Sequence, residues 1–319
     1  MTPPYLPRAA TRHLLTLAAC ALLGSPAAWA QELQPQEVAP GVWMVQGATA
    51  LGTPANRNFI SNAAFVVTSE GVVVVDALGS PALARELLAA IARITPQPVR
   101  HVVVTHFHAD HIYGLQVLKD AGAVITAQRD GRLYLNSDTA ALRLQASREE
   151  LAPWVDARTR LVPADRWISE PTTFTLGGVE FLLIPVGPAH TPEDLVVMLP
   201  QQRVLLAGDL VFRGRIPFVG QADSGRWIAA LDRLIDLRPQ VIVPGHGPAS
   251  TSPQADLQLT RDYLQHLRLT MGEAARNLDP FDEAYARADW SRFAHLPLFA
   301  AANRINAYNT YLLMEQSSK

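Results

Sequence analysis

The 319-residue chain has a single cysteine, Cys20. A lone thiol excludes an intrachain disulfide framework and a thiolate-bound metal cluster. Net charge of either sign is also scarce: 27 Lys and Arg stand against 29 Asp and Glu, for a formal charge of −2, and no basic run interrupts the balance. Nothing draws the chain over long range to nucleic acid or to an anionic membrane, which argues against both as main partners. No apolar run reaches the ~20 residues that span a bilayer. The one near the start, Leu14 to Leu23, falls short, and Pro26 interrupts its end. Solenoid-type repeats are missing too, as are low-complexity segments beyond the N-terminal region. What is present is an apolar fraction of 49%, enough to fill a sizeable core.

The first thirty residues have the order of a targeting segment. Arg8, Arg12 and His13 precede the apolar stretch, and Ala28-Trp29-Ala30 before Gln31 fits the small-x-small cleavage rule. Residues 1–30 are therefore expected to be a signal peptide, leaving a periplasmic or secreted protein with no thiol and no integral membrane segment. Leu17-Ala18-Ala19-Cys20 resembles a lipobox, which keeps a lipoprotein anchored through Cys20 as the alternative. Arginines are not adjacent here, so a twin-arginine route is not supported.

Residues 31–252 read as one α/β domain. Val42 to Gln46, Ala63 to Thr68 and Val72 to Val75 predict successive strands divided by Gly47, Gly52 and a Ser69-Glu70-Gly71 turn. Ser80 as N-cap and Pro81 at the first helical position open a helix with Leu83, Leu87, Leu88 and Ile91 as its buried stripe. A strand over 102–104, a helix near 114–121 and a strand over 124–127 complete a first half. Residues 128–170 are helix-like, mixed in charge and expected on the surface. The second half restarts with strands over 172–176 and 179–185 around Gly177-Gly178, then 195–199 and 204–206, a helix over 227–237 and a strand over 241–243. Two such halves facing one another imply an αββα sandwich. From residue 253 to 319 the pattern is helical, an extension that either covers the sandwich or meets a second copy; the oligomeric state is left open.

The chemistry concentrates in Thr105-His106-Phe107-His108-Ala109-Asp110-His111, followed at wide intervals by His190, Asp209 and His246. Neutral imidazoles and carboxylates are ligands that suit Zn²⁺, with Fe or Mn as alternatives. The apolar strand before the His-rich loop delivers it to a strand's C-terminal end, where open α/β sheets place their active sites. His101, His266 and His295 stand alone and are read as surface or packing residues.

The string His106-x-His108-x-Asp110-His111, His190 after Pro188-Ala189, Asp209 in Gly208-Asp209 and His246 in Pro244-Gly245-His246-Gly247 together resemble the metallo-β-lactamase superfamily over roughly residues 38 to 250. The resemblance implies the αββα fold and assigns roles. His106, His108 and His190 would hold one metal, Asp110, His111 and His246 a second, and Asp209 would bridge them. Two cations lower the pKa of a shared water from about 15.7 to about 7, and the resulting hydroxide would be the nucleophile. Asp110 and Asp209 would orient it. Thr105 and Asp76 are candidates to fix the imidazoles from behind.

The implied function is an exported zinc hydrolase acting on an ester, thioester or amide of a small molecule. β-Lactam hydrolysis is one alternative. In zinc β-lactamases that use a cysteine ligand, the place of Asp209 is cysteine and a lysine follows three residues on; this chain has Asp209 and Phe212, with Arg213 and Arg215 as substitute anion anchors. Two further classes remain: a mononuclear iron oxygenase of the persulfide-oxidising kind, and a non-catalytic accessory protein of a periplasmic oxidation pathway. The signal segment, Arg215-Ile216-Pro217-Phe218-Val219 and the helical tail are similar to periplasmic quinoprotein relay system zinc metallohydrolases. Phe107, Tyr113, Phe218 and Trp227 are candidates to line an apolar cleft, with Tyr113 narrowing access and Asn56-Arg57-Asn58 forming a flap.

Overall fold

Short runs rich in valine build the first sheet. β1 (Gln36–Ala39), β2 (Val42–Val45), β3 (Ala63–Thr68) and β4 (Gly71–Val75) form an antiparallel meander. Helix α1 (Pro81–Ile94) follows, one of its free N-terminal amides capped as Leu83 N–H donates to the Ser80 hydroxyl. It crosses to β5 (Val99–Val103), which runs parallel to β4. Two short helices, α2 (Ala109–Ile112) and α3 (Leu115–Asp120), lead to parallel β6 (Val124–Gln128). Helices α4 (Gly131–Leu135) and α5 (Asp138–Glu150) precede a short parallel edge strand, β7 (Arg166–Ile168).

The second sheet repeats the logic. β8 (Thr172–Leu176), β9 (Val179–Pro185), β10 (Leu195–Leu199) and β11 (Val204–Phe212) pair antiparallel in turn. Helix α6 (Ser224–Asp236) then crosses to β12 (Val241–His246), parallel to β11. Helices α7 (Pro253–Arg276), α8 (Phe281–Arg287) and α9 (Phe299–Ser317) end the chain. The strand orders are β1-β2-β3-β4-β5-β6-β7 and β12-β11-β10-β9-β8. This computed structural model describes Met1 and residues 32–220 and 222–317. The expected leader, Cys20 included, otherwise lies outside the described residues. Among them, no helix is long and apolar enough to cross a membrane.

Period-2 alternation decides which side chain enters which layer. Along β3 and β4, Ala64, Val66, Val73 and Val75 face the second sheet and meet Leu183, Val197 and Leu206 there. Phe65, Val72 and Val74 point the other way, into a layer with Leu83, Leu87 and Ile91 of α1 and Leu118 of α3. On the far side of the second sheet, Leu205 and Ile242 pack with Trp227 and Leu231 of α6 and Leu264 and Leu267 of α7. The result is helix, sheet, sheet, helix, as expected, with the C-terminal helices sharing the outer core of the second sheet. β5, β11 and β12 all deliver polar residues from one edge of this sandwich, and that edge carries the site.

Candidate metal centre

Strand β5 stops at Val103 and the chain enters the loop 104–108, with His108 the N-cap of α2. That single turn of helix presents Asp110 and His111 beside His106 and His108. His190 comes from the loop between β9 and β10, Asp209 from within β11, and His246 from the end of β12. The structure brings all seven expected residues together, in two groups: His106, His108, His190 and Asp209, and Asp110, His111 and His246.

In the first group, His108 Nδ1 lies 3.1 Å from His106 Nε2 and 3.1 Å from His190 Nε2. Asp209 Oδ2 is 3.8 Å and 3.5 Å from the same two Nε2 atoms. Asp209 also faces the second group, with Oδ1 3.2 Å from His111 Nε2 and Oδ2 3.2 Å from His246 Nε2. Asp110 Oδ2 is 3.6 Å from His111 Nε2 and 3.4 Å from His246 Nε2. Ligands about 2.0–2.1 Å from a tetrahedral cation sit roughly 3.3–3.4 Å from each other, so these spacings suit two such ions. His111 Nε2 and Asp209 Oδ1 are buried without a hydrogen-bond partner. Atoms left so are costly unless something positive stands among them. The residues present therefore fit a pair of cations.

The far sides of the rings fix their tautomers. Asp76 accepts at Oδ2 from His111 Nδ1 (2.8 Å) and from the Thr105 hydroxyl (2.8 Å), and at Oδ1 from Thr105 N (2.8 Å). With its proton given to Asp76, the Thr105 oxygen accepts from His106 Nδ1 at 3.0 Å. His246 Nδ1 donates to Ile60 O at 2.7 Å. Each of these three rings, when neutral, thus turns an unprotonated Nε2 to the centre, as metal binding requires. Asp76 sits at φ 64, a left-handed conformation that aspartate tolerates better than most residues and that aims its carboxylate under the loop. Thr105 and Asp76 act as the sequence suggested.

Electrostatics divides the cluster. Burial, then the His111 charge, holds His106 well below its ordinary pKa, and burial with His108 brings His190 down to about 3. Burial opposes a charged His111, yet the carboxylates of Asp209, Asp110 and Asp76 outweigh it and push this imidazole well above 6.5. For Asp209, burial is likewise outweighed by His246 and His111, and its carboxyl is held well below the usual range. Neutral His106 and His190 and an ionised Asp209 are the forms that a cation needs, whereas His111 must release a proton for a cation to bind.

Other expectations are corrected by packing. Phe107 and Phe218 do line the cavity beside the cluster. Tyr113 does not: it is buried in the outer core of the first sheet, its hydroxyl 3.2 Å from Ser147 Oγ, and so does not narrow access. Trp227 is buried behind His190, 5.0 Å between ring centroids, and supports that ring instead of facing substrate. Asn56-Arg57-Asn58 is no flap. Arg57 pairs with Glu86 of α1 at 2.5 Å, Trp154 Nε1 donates to Pro54 O at 2.8 Å, and Ile60 is the residue nearby that lines the cavity. The two arginines are not anion anchors at the cavity wall. Arg213 pairs with Asp256 of α7 at 2.9 Å, and Arg215 is buried between Phe212 and Phe218.

Three residues escaped the sequence reading. Asn62 donates to Pro244 O and Gly247 O, both at 2.8 Å, and so clamps the His246 turn. Asp194 accepts from Thr191 N and Oγ1, each at 2.8 Å, shaping the His190 loop. Glu193 accepts from Phe107 N at 3.1 Å and lines the cavity. The last two were visible as His190-Thr191-Pro192-Glu193-Asp194, two carboxylates directly after a ligand; Asn62 carries no local signal.

A family model described as the metallo-beta-lactamase superfamily matches residues 56–246, more than half of the chain. The chain belongs to the metallo-beta-lactamase superfamily. Within it, a linear primary-alkylsulfatase of Pseudomonas sp. (strain ATCC 19151) is 27% identical over 234 residues, covering 62% of this chain and 44% of its own length. The chain thus matches less than half of that relative. A metallo-beta-lactamase type 2 of Bacillus cereus is 28% identical over 204 residues, 62% of this chain and 72% of the relative. Among solved structures, a metallo-beta-lactamase from Pontibacter korlensis aligns with TM-score 0.57 at 28% identity, over 73% of this chain and 99% of that one. A stereoselective inverting sec-alkylsulfatase from Pseudomonas sp. aligns with TM-score 0.66 over 88% of this chain and 50% of that one; at 19% identity the likeness is one of fold.

Proposed function

We propose that the protein is a binuclear metal-dependent hydrolase that cleaves an ester, thioester or amide bond in a small molecule, with two Zn²⁺ per chain and Fe or Mn as alternatives. The observation that carries this reading is the shared carboxylate: Asp209 stands within 3.8 Å of ligand atoms of both groups. A pair of such cations, when bound, supplies Lewis acidity and a water acidic enough to ionise near neutral pH.

The chain's own residues do the rest. Asp76, Thr105 and the Ile60 carbonyl hold three rings in the productive tautomer. Asp110, partly exposed at the cavity, is the carboxylate placed to accept and pass on a proton as the bond breaks, while Asp209 stays ionised between the two groups. Trp227 and Phe212 pack against the His190 and His246 rings and hold them in place; the Phe212 ring stacks on His246 with centroids 5.0 Å apart. The completeness of the second group favours a binuclear enzyme over a mononuclear iron oxygenase, and its intact geometry favours catalysis over an accessory role.

Resemblance to alkylsulfatases in both sequence and fold favours one second reading, in which the scissile bond is a sulfate ester. β-Lactam hydrolysis is supported less, because Phe212 is spent on His246 and neither nearby arginine lines the cavity to hold a drug's carboxylate. Export is part of the proposal, on the strength of the basic, apolar and small-x-small order of residues 8–30, with lipidation at Cys20 as its variant. Elemental analysis of the purified protein, run beside turnover of a chromogenic β-lactam, an aryl thioester and an alkyl sulfate, tests it. About two zinc per chain with turnover of the thioester is the expected result; one iron and no hydrolysis would sink the reading. Asp110→Ala is expected to lower both turnover and metal stoichiometry.

A further inference from the structure

The cavity beside the metal ligands encloses about 580 Å³, within the range of pockets that hold drug-sized molecules. Its walls are mostly apolar and aromatic, with Ile60, Phe107, Leu133, Tyr134, Phe218 and Val219 among them. Outside the ligand set, the charged residues lining it among the described residues are Asp130 and Glu193, and both are acidic. Glu193 is 4% exposed, and neither carboxylate has a Lys, Arg or His ion-pair partner within 4.0 Å among the described residues.

A carboxylate buried without a cation is expensive, several kcal/mol by order of magnitude. The hydrogen bonds of Glu193 with Phe107 N, its own amide and the Thr191 side chain do not account for it, because a neutral glutamine could accept them too, and burial outweighs them, pushing its carboxyl above the ordinary glutamate value. Asp130 is held in place by Gln128, which donates from Nε2 at 3.2 Å, and this contact too needs no charge. Carboxylates beside aromatic faces are the combination that recognises an organic ammonium: Coulomb attraction from the acid, and the ring quadrupole from the aromatic. Neither arginine that would favour an anion lines the cavity: Arg213 is in an ion pair with Asp256, and Arg215 is buried between Phe212 and Phe218 with Nη1 3.4 Å from His246 Nδ1, behind that ring.

We propose that this cavity selects substrates whose body is apolar and carries a positively charged nitrogen, with Glu193 and Asp130 as the specificity-determining residues. The proposal rests on the hydrolase reading for the scissile bond and adds the class of molecule in which that bond sits. It sets the chain apart from an enzyme built to grip a carboxylate at this wall.

The test is calorimetric titration of the metal-loaded, full-length protein with two matched probes: a phenylbutyl chain ending in trimethylammonium, and its uncharged tert-butyl isostere. The ammonium is expected to bind at least tenfold more tightly. Glu193→Gln, which keeps the acceptor for Phe107 N, and Asp130→Asn are each expected to cut that ratio threefold or more. Equal binding of the two probes by the native chain overturns the proposal, and so does a ratio unchanged in both variants. Turnover of an aryl thioester on the same preparation separates the two readings. A preparation that prefers the ammonium but hydrolyses nothing defeats the hydrolase and leaves the charge selection standing; one that hydrolyses without the preference does the reverse.

Discussion

At the scale of single residues, the metal site is held from behind as much as from within. Asp76 accepts from three donors on two neighbours, His111 and Thr105. Replacing it by asparagine removes both the charge and one acceptor, and affinity for the second cation is expected to fall roughly 10- to 100-fold. Competition against a chromophoric chelator measures this, and two ions held at native affinity would contradict it. Gly245 is a second pressure point, since a Cβ there would lie 1.9 Å from Asp209 Oδ1 and 2.7 Å from Gly208 C. Gly245→Ala must displace the bridging carboxylate or the strand. The expectation is lost metal stoichiometry together with a stability loss of about 1–3 kcal/mol, read from urea unfolding. The seven site residues were legible in the sequence because imidazole and carboxylate at such spacings have few other uses. Tyr113 and Trp227 were misread because an aromatic side chain gives no hint from its spacing whether it faces a cleft or a core. Asn62 was invisible because its partners lie about 180 residues away.

At the scale of elements, the C-terminal helix reaches the cavity through a polar latch. Asn306 of α9 is fully buried, accepts from Val219 N at 2.9 Å and donates to Pro217 O at 2.7 Å and to Tyr263 of α7 at 3.0 Å. The segment so held carries Phe218 and Val219, which line the cavity. Asn306→Ala leaves buried backbone groups unpaired, and a loss of roughly 1–3 kcal/mol is expected. Faster amide exchange at Val219 with unchanged zinc content would mark the effect as one on the cavity wall; loss of zinc would show that α9 supports the metal ligands instead. Most strands were legible: β3, β8, β9 and β10 run over the spans that alternation and turn residues predict. β1 and β7 were not, being short edge strands of four and three residues with exposed or half-buried side chains and little apolar signal. β11 runs on to Phe212, so Asp209 lies within a strand and not in a turn after one. The 128–170 region does lie at the surface, but Leu133, Tyr134 and Ser137 of it also form cavity wall, a placement that only the packing of α4 and α5 decides.

At the scale of the whole molecule, the cluster makes the stability of the metal-free chain depend on pH. For His106 and His190 the folded pKa lies below the unfolded value of 6.5, at about 3 for His190. Below pH 6.5 the unfolded chain therefore binds protons that the folded chain refuses, and folding weakens as pH falls toward those lower values. Each such group contributes a slope of up to about 1.4 kcal/mol per pH unit. His111 works in the opposite sense: its raised pKa gives a stabilisation that is complete below 6.5 and is lost as pH rises through the folded value. Near pH 7 the two tendencies oppose each other. Below about pH 6 the unfolded chain is already protonated at the His111 position, so its slope vanishes and the loss from His106 and His190 is unopposed. Chelator-treated protein is thus expected to show a urea midpoint that rises as pH falls from 8 to 7, where the His111 contribution acts almost alone, and drops steeply between pH 6 and 5. Zinc restored in excess at pH 7 should raise stability by RT ln(1 + [Zn]/Kd), about 4 kcal/mol at a thousandfold excess over Kd. A metal-free midpoint that stays level from pH 7 to 5 would mean that these imidazoles take up protons freely in the folded chain. The neutral forms assigned to His106 and His190 would then have to be given up.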